Sequence, residues 1–247
     1  MAEKDWELSV LSQLNDLGWD LTNGTGIQPG TSYTEGERVT RKPDSILPIY
    51  STFRHGRESN ESLLIPGEIK DALRRLNPDA TEDQLQKAYT TLTRRRSGNL
   101  VQDNKDVLDQ MRAGIPVETK APDGTLRTRN LQIISENTDQ NTYLAAQQVT
   151  VIFNGRTYRL DVVMYCNGLP VGIIELKDQG KKLSEAYNQM VTYQREIPQA
   201  FTYNIVTIMG QPDEARYGTI GTPLSHTAQW NYDADGAETP NGTYDDE

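Results

Sequence analysis

The chain has few of the residues on which several common kinds of protein depend. Its 247 residues include one cysteine, Cys166, so a disulfide framework is excluded. The two histidines, His55 and His226, have no second ligand at metal-binding spacing. No apolar run approaches the roughly 20 residues of a membrane span, and the charged, amphipathic N-terminus is unlike a signal peptide. No GxxxxGK[ST] phosphate loop is present. We therefore expect a cytoplasmic chain that does not itself bind ATP.

The net charge of −10 has the wrong sign for a protein that simply coats DNA. Residues 225–247 contain six acidic residues and no Lys or Arg, and removing those six leaves −4 for residues 1–224. This segment also has little apolar periodicity, which predicts an acidic linker or tail after a domain spanning residues 1–224. Much of the excess charge is therefore local, and a DNA-directed activity is not excluded.

Hydrophobic periodicity predicts an α/β (α+β) fold, with a central mixed β-sheet flanked by helices. The first helix should bury Trp6, Val10, Leu11, Leu14 and Leu17 on one face. A capping box at Thr81–Gln84 marks a helix start within a helical insertion at about 63–113. Residues 21–48 are predicted to be irregular. The helices are expected at 3–17, 66–76, 81–93, 103–113 and 182–196, and the outer strands at 126–135 and 203–209.

Three successive strands are predicted around two turns in the second half of the chain. Alternating and β-branched residues flank Asn154–Gly155, which accepts the positive φ angles of a type I′ hairpin turn. A second reversal at 167–170 leads into VGIIELK. Glu175 and Lys177 are two residues apart on this last strand, so they should share one face.

Whether Asp161 joins them depends on the second reversal. A two-residue loop at 167–168 would pair Asp161 with residue 174 and turn it to the wrong face. A three-residue loop at 167–169, or a β-bulge, would pair it with Glu175. Because Pro170 opposes a regular two-residue turn and Gly168 can adopt a left-handed conformation, we predict the three-residue loop.

Two carboxylates converging at a sheet surface suit Mg²⁺, or Mn²⁺, better than zinc. Asp161 and Glu175 are the predicted metal ligands. A metal there would polarise a phosphate and lower the pKa of a bound water, while Lys177 would stabilise the attacking hydroxide or the developing negative charge. Asp161, Glu175 and Lys177 therefore predict phosphodiester hydrolysis.

The array in RLDVVMYCNGLPVGIIELKDQGKKLSEAYNQMVTYQR resembles the PD-(D/E)xK nuclease core. It is most similar to the nuclease domain at the N-terminus of type I restriction enzyme R (HsdR) subunits. The similarity covers about residues 1–220 and includes LLIPGEIKDALRRLNP and NGLPVGIIELK. The family's usual proline before the first catalytic aspartate is Leu160 here, which should affect only the entry of the strand.

The resemblance also implies roles for residues on two helices. Gln189 and Tyr193 match the QxxxY motif of RecB-like nucleases and are expected to be catalytic, with the tyrosine contacting the DNA backbone. By spacing alone they could form an ordinary helix surface. Glu7 is the position that the family would bring to the metal from the first helix. A solvent-exposed helix glutamate is the alternative for Glu7.

The expected function is a Mg²⁺-dependent DNA endonuclease domain of a type I restriction R subunit. The resemblance implies partners, namely DNA and the modification and specificity subunits, and an ATP-driven motor beyond residue 247. One alternative is a stand-alone PD-(D/E)xK repair or restriction nuclease. Another is a docking module of the restriction complex whose nuclease residues are vestigial.

Overall fold

The computed structural model describes residues 3–33, 53–94, 97–120, 124–212 and 214–230. They form five α-helices and nine β-strands, numbered in chain order. The helices are α1 Glu3–Asp16, α2 Pro66–Leu76, α3 Glu82–Thr93, α4 Leu100–Ala113 and α5 Leu183–Glu196. The strands are β1 Asp20–Asn23, β2 Ile115–Lys120, β3 Leu126–Leu131, β4 Tyr143–Phe153, β5 Arg156–Cys166, β6 Leu169–Leu176, β7 Val206–Gln211, β8 Glu214–Gly218 and β9 Ala228–Gln229.

Seven of the strands form one mixed sheet in the order β1-β4-β5-β6-β7-β8-β9. The β1–β4 and β6–β7 pairs are parallel, whereas the other neighbours are antiparallel. Strands β2 and β3 form a separate antiparallel ribbon. The mixed sheet with flanking helices confirms the fold class expected from the periodicity of the sequence.

Helices α1 and α5 pack on opposite faces of this sheet. Leu11 and Leu14 of α1 contact the face that carries Ile174. Met190 of α5 lies in the hydrophobic cluster that includes Ile173, the β6 residue directly before Ile174. Successive strand residues point to opposite faces, so β6 is covered on both sides. All eight of its residues are buried, as the apolar run LPVGIIEL requires.

Most of the predicted helix boundaries lie close to the observed ones. The capping box is confirmed. The Thr81 hydroxyl accepts a hydrogen bond from Gln84 N, and the Gln84 side chain accepts one from Thr81 N. Two expectations about helices and strands near the N-terminus are wrong. Leu17 lies beyond α1 and is 75% exposed, because the helix has already ended at Asp16. Strand β1 occupies part of the segment expected to be irregular, where its four residues pair with β4. Residues 34–52 lie outside the described part of the chain.

The predicted tail begins with ordered contacts to the sheet. Strand β9 pairs with β8, and the ring of Trp230 stacks edge-on against Tyr217 with their centroids 5.6 Å apart. Residues 231–247 lie outside the described residues, so the division at residue 224 stays a prediction. Over the ranges that the structure covers, no helix is both long and apolar enough to cross a bilayer.

The turn between β5 and β6 is anchored in the core. Asn167 and Gly168 both have positive φ, 50° and 81°. The buried Asn167 amide donates to the Ile133 carbonyl at 2.8 Å, and its oxygen accepts from Thr142 N at 2.9 Å. The Gly168 carbonyl accepts from Ile65 N, just before α2, at 3.1 Å. These bonds fix the hairpin that carries Asp161 and Glu175.

Candidate functional site

Three polar side chains lie in one row across the middle of the sheet. In β4 and β5, Gln147 pairs with Val162 and Val149 with Leu160, which places Gln148 beside Asp161. In β5 and β6, Val162 pairs with Ile174, and the same register continued by one residue places Asp161 opposite Glu175. The row therefore runs Gln148, Asp161, Glu175 on three adjacent strands.

The register that brings Asp161 to Glu175 comes from a bulge, and the predicted three-residue loop is wrong. Cys166 pairs with Leu169, so the turn contains only Asn167 and Gly168. Both of these residues tolerate positive φ, so the tight turn forms at little cost. The register then shifts at Met164 and Tyr165, where Pro170 has no N–H to donate to the ladder. One extra residue in β6 restores the pairing that the two-residue turn alone would have lost.

Asp161 is a buried carboxyl group with a defined hydrogen bond. Its side chain is 5% exposed, and Oδ2 accepts from Leu176 N at 2.8 Å. Burial raises the pKa of Asp161 above its ordinary value. The Leu176 hydrogen bond and the nearby charges of Lys177 and Arg159 oppose that rise in pKa without cancelling it. The ionised form of Asp161 would therefore be favoured by an additional positive charge.

The Glu175 and Lys177 side chains are in contact, as predicted, although β6 ends at Leu176 and Lys177 is the first residue after it. Lys177 Nζ donates to Glu175 Oε1 at 2.5 Å and to the Leu176 carbonyl at 3.1 Å. The Glu175 side chain is 3% exposed and that of Lys177 is 17% exposed. The ammonium group thus pairs with a buried carboxylate, and its charge also acts on Asp161.

Gln189 and Tyr193 bring α5 to the same place. Burial raises the pKa of the Tyr193 hydroxyl, and the negative charges of Glu175 and Asp161 raise it further, whereas a hydrogen bond with Gln189 lowers it. The Tyr193 hydroxyl donates to the Arg159 carbonyl at 2.8 Å. With Tyr193 only 5% exposed, this bond fastens α5 to β5, and a contact with the DNA backbone would require it to break.

Glu7 also reaches the site, from α1. It is 4% exposed, so the alternative of a solvent-exposed glutamate is wrong. Its two carboxylate oxygens accept from two neighbouring amides, Oε2 from Gln147 Nε2 at 3.1 Å and Oε1 from Gln148 Nε2 at 2.8 Å. The Gln148 amide also donates to Asp161 Oδ1 at 3.4 Å, which links the α1 carboxylate to the row in the sheet.

Sequence reasoning missed the two glutamines of β4. The available signal was the dipeptide Gln147–Gln148 inside YLAAQQVTVIF, where two adjacent polar residues interrupt an apolar strand. Period-2 alternation accounts for one polar residue facing solvent but not for two in succession. Their partners on α1 could not be inferred from the local pattern.

The donor set fits a hard divalent cation. Asp161 and Glu175 are buried carboxylates on adjacent strands, and Glu7 is linked to Asp161 through one amide. Mg²⁺ and Mn²⁺ prefer such oxygen ligands and usually keep several waters, so two protein carboxylates suffice. Within the described residues, no three His, Cys, Asp or Glu side chains already converge as a metal cluster.

Residues 1–226 match the family described as the N terminus of the type I restriction enzyme R protein. The chain belongs to this family. One relative is the putative type I restriction enzyme MjaIXP endonuclease subunit of Methanocaldococcus jannaschii, 28% identical over 82% of this chain and 18% of the relative. Another is the type I restriction enzyme HindI endonuclease subunit of Haemophilus influenzae, 24% identical over 93% of this chain and 20% of the relative. The chain thus spans about a fifth of the length of these relatives.

Proposed function

We propose that this chain is the nuclease part of a type I restriction R subunit and hydrolyses DNA phosphodiester bonds with Mg²⁺ or Mn²⁺. The observation that carries the proposal is the row of Asp161 and Glu175, with Lys177 Nζ 2.5 Å from Glu175. Membership of the R-protein N-terminal family supports it. The relatives' names refer to endonuclease subunits, which agrees with this chemistry.

Asp161 and Glu175 would hold the cation, with Glu7 as a third candidate ligand. When bound, the cation would polarise the scissile phosphate and lower the pKa of a water molecule. Lys177 can turn its ammonium group from Glu175 towards the phosphate or the attacking hydroxide, where it stabilises developing negative charge. Gln189 would orient Tyr193 and, through it, the β5 backbone that carries Asp161.

The remaining functions of a restriction complex would come from outside this chain. We propose that it acts with DNA and with the modification and specificity subunits. ATP-driven translocation would belong to motor domains beyond residue 247, consistent with the lack of a phosphate loop here. Those parts would supply most of the DNA affinity, which explains how a nuclease domain with an acidic chain can function.

The test compares Asp161→Asn with Asp106→Asn in the full-length R subunit assembled with its partners. Asn keeps the size of the side chain and an acceptor for Leu176 N but cannot serve as an anionic ligand. Asp106 is an exposed residue of α4 and serves as a matched control. Asp161→Asn should abolish DNA cleavage and leave ATP hydrolysis intact, whereas the control should retain both. Continued cleavage by Asp161→Asn would instead favour a docking module.

A further inference from the structure

Gln148 has a backbone conformation that its strand does not require. Its φ is 54°, although the flanking pairs Gln147–Val162 and Val149–Leu160 keep one register. The other non-glycine residues with positive φ in the described chain, Asn154 and Asn167, both lie in turns before glycine. A left-handed conformation is unfavourable for a residue with a Cβ atom. Such a conformation persists where surrounding contacts hold it, and it often marks a functional position.

The surroundings of Gln148 show what holds it. Gly24 lies after β1, and a Cβ atom added there would be 2.5 Å from the Gln148 carbonyl oxygen and 3.1 Å from Val149 Cα. The turn at Gly24–Ile27 therefore packs directly on this backbone. Asn23 caps the turn through hydrogen bonds from Thr25 N and Gly26 N to its side chain, both 3.1 Å. The distorted residue is braced from the neighbouring strand.

The side chain of Gln148 makes two bonds that need its amide nitrogen. Nε2 donates to Glu7 Oε1 at 2.8 Å and to Asp161 Oδ1 at 3.4 Å. Ionised carboxylates only accept hydrogen bonds, so the NH₂ end of the amide must face them. The bond to Glu7 has ordinary length, and the bond to Asp161 is long. The carboxylates of Glu7 in α1 and Asp161 in β5 are thereby held next to one shared donor, the Gln148 amide.

We propose that Gln148 is a positioning residue, which orients the carboxylates of Glu7 and Asp161 together for cation binding. The inference rests on the proposed nuclease function and deepens it. Because the amide is neutral, it offsets repulsion between the two carboxylates without competing for the cation as another charge would. Gln147 and Gln148 both donate to Glu7, although successive residues of a regular strand point to opposite faces. The left-handed backbone of Gln148 accounts for this departure from alternation.

The experiment uses the full-length R subunit assembled with its partners, and it measures DNA cleavage and ATP hydrolysis on the same samples. It also measures Mn²⁺ binding without nucleotide or DNA, by electron paramagnetic resonance. Gln148→Met keeps the length of the side chain but removes the donors. Gln148→Asn tolerates positive φ but is one methylene too short to bridge both carboxylates. Gln148→Gly relieves the backbone strain and removes the side chain. Gln86→Met, on the exposed face of α3, is the control for a glutamine-to-methionine change.

All three Gln148 variants should cleave DNA at least tenfold more slowly and bind Mn²⁺ at least tenfold more weakly, with ATP hydrolysis unchanged. Gln86→Met should match the parent in all three measurements. Glu7→Gln should also be slower. Combining it with Gln148→Met should add less than threefold to the larger single effect, because both changes remove the same interaction. Gln147→Met should have a smaller effect than Gln148→Met, since Gln147 contacts Glu7 but makes no bond to Asp161 in the structure.

Parent-like cleavage or parent-like Mn²⁺ affinity in Gln148→Met would overturn the inference. Recovery in Gln148→Asn or Gln148→Gly would also overturn it, because the backbone and not the amide would then matter. Multiplicative effects of Glu7→Gln and Gln148→Met would show that the two residues act separately, against the inference. If Asp161→Asn abolishes cleavage while Gln148→Met retains it, only this inference fails. If Asp161→Asn still cleaves, the proposed nuclease function fails and takes this inference with it.

Discussion

The turn glycine Gly168 offers a quantitative test of how the site is held. Its φ is +81°, and an added Cβ atom would lie 2.7 Å from the Ile65 carbonyl oxygen and 2.8 Å from Glu68 Cβ. A left-handed residue with a Cβ atom costs about 1–2 kcal/mol. Forcing an extra carbon into a packed site costs about 1–3 kcal/mol more. Gly168→Ala should therefore destabilise the chain by about 2–5 kcal/mol.

The other hairpin supplies a matched control. Gly155 also has a positive φ, +72°, but an added Cβ atom there would meet nothing within 4 Å. Gly155→Ala should therefore carry only the backbone cost of about 1–2 kcal/mol. The difference between the two variants isolates the packing of the turn against the start of α2.

Thermal unfolding of this chain, followed by tryptophan fluorescence, measures both changes. Trp6 packs in the same cluster as Leu176, next to the site, so its emission reports on this region. For a chain of this size, 1 kcal/mol corresponds to about 2–4 °C in the melting midpoint. Gly168→Ala should melt well below Gly155→Ala. Equal destabilisation by the two variants would refute the close packing of the turn, and with it our explanation of how the hairpin is anchored.

Three further predictions concern the site itself. Lys177→Met should abolish DNA cleavage by the full-length subunit while ATP hydrolysis persists, and unchanged cutting would remove the lysine from the mechanism. Because burial raises the folded-state pKa of Asp161, its ionisation destabilises the fold as pH rises above the ordinary Asp value. Without divalent cations, Asp161→Asn should therefore be more stable than the parent at pH 7 and lose this advantage in acid, as melting midpoints across pH would show. A crystal structure with Mn²⁺ should show the ion about 2.0–2.2 Å from oxygens of Asp161 and Glu175, and an ion bound elsewhere would contradict the ligand assignment.

Local sequence preferences were sufficient for much of the architecture. The Asn154–Gly155 dipeptide predicted the first hairpin turn, because these residues accept positive φ without strain. At 167–170 the sequence predicted the reversal but not its two-residue length. The capping box fixed the start of α3, and apolar periodicity located α2 and α5 within one residue at each end. The two-residue spacing of Glu175 and Lys177 predicted that their side chains lie on the same side of the chain, and the two are in contact.

The short strands escaped prediction because they have little pattern of their own. Strand β1 has four residues and β9 has two, which is too short for alternation to be recognised. Both exist because a neighbouring strand offers unpaired backbone groups. Their positions therefore depend on the sheet as a whole, and the same holds for the contact of Trp230 with Tyr217.

The sequence by itself identified the candidate side chains: Asp161 and Glu175 on strands, Lys177 directly after β6, and Gln189 and Tyr193 one helical turn apart. Tertiary structure decided how they meet. A single extra residue in β6 turns Asp161 towards Glu175, and its position depends on pairing across the sheet. Glu7 and Gln148 are 141 residues apart, yet they share a hydrogen bond. Local propensities cannot encode such a contact, because it forms only when α1 packs on the completed sheet.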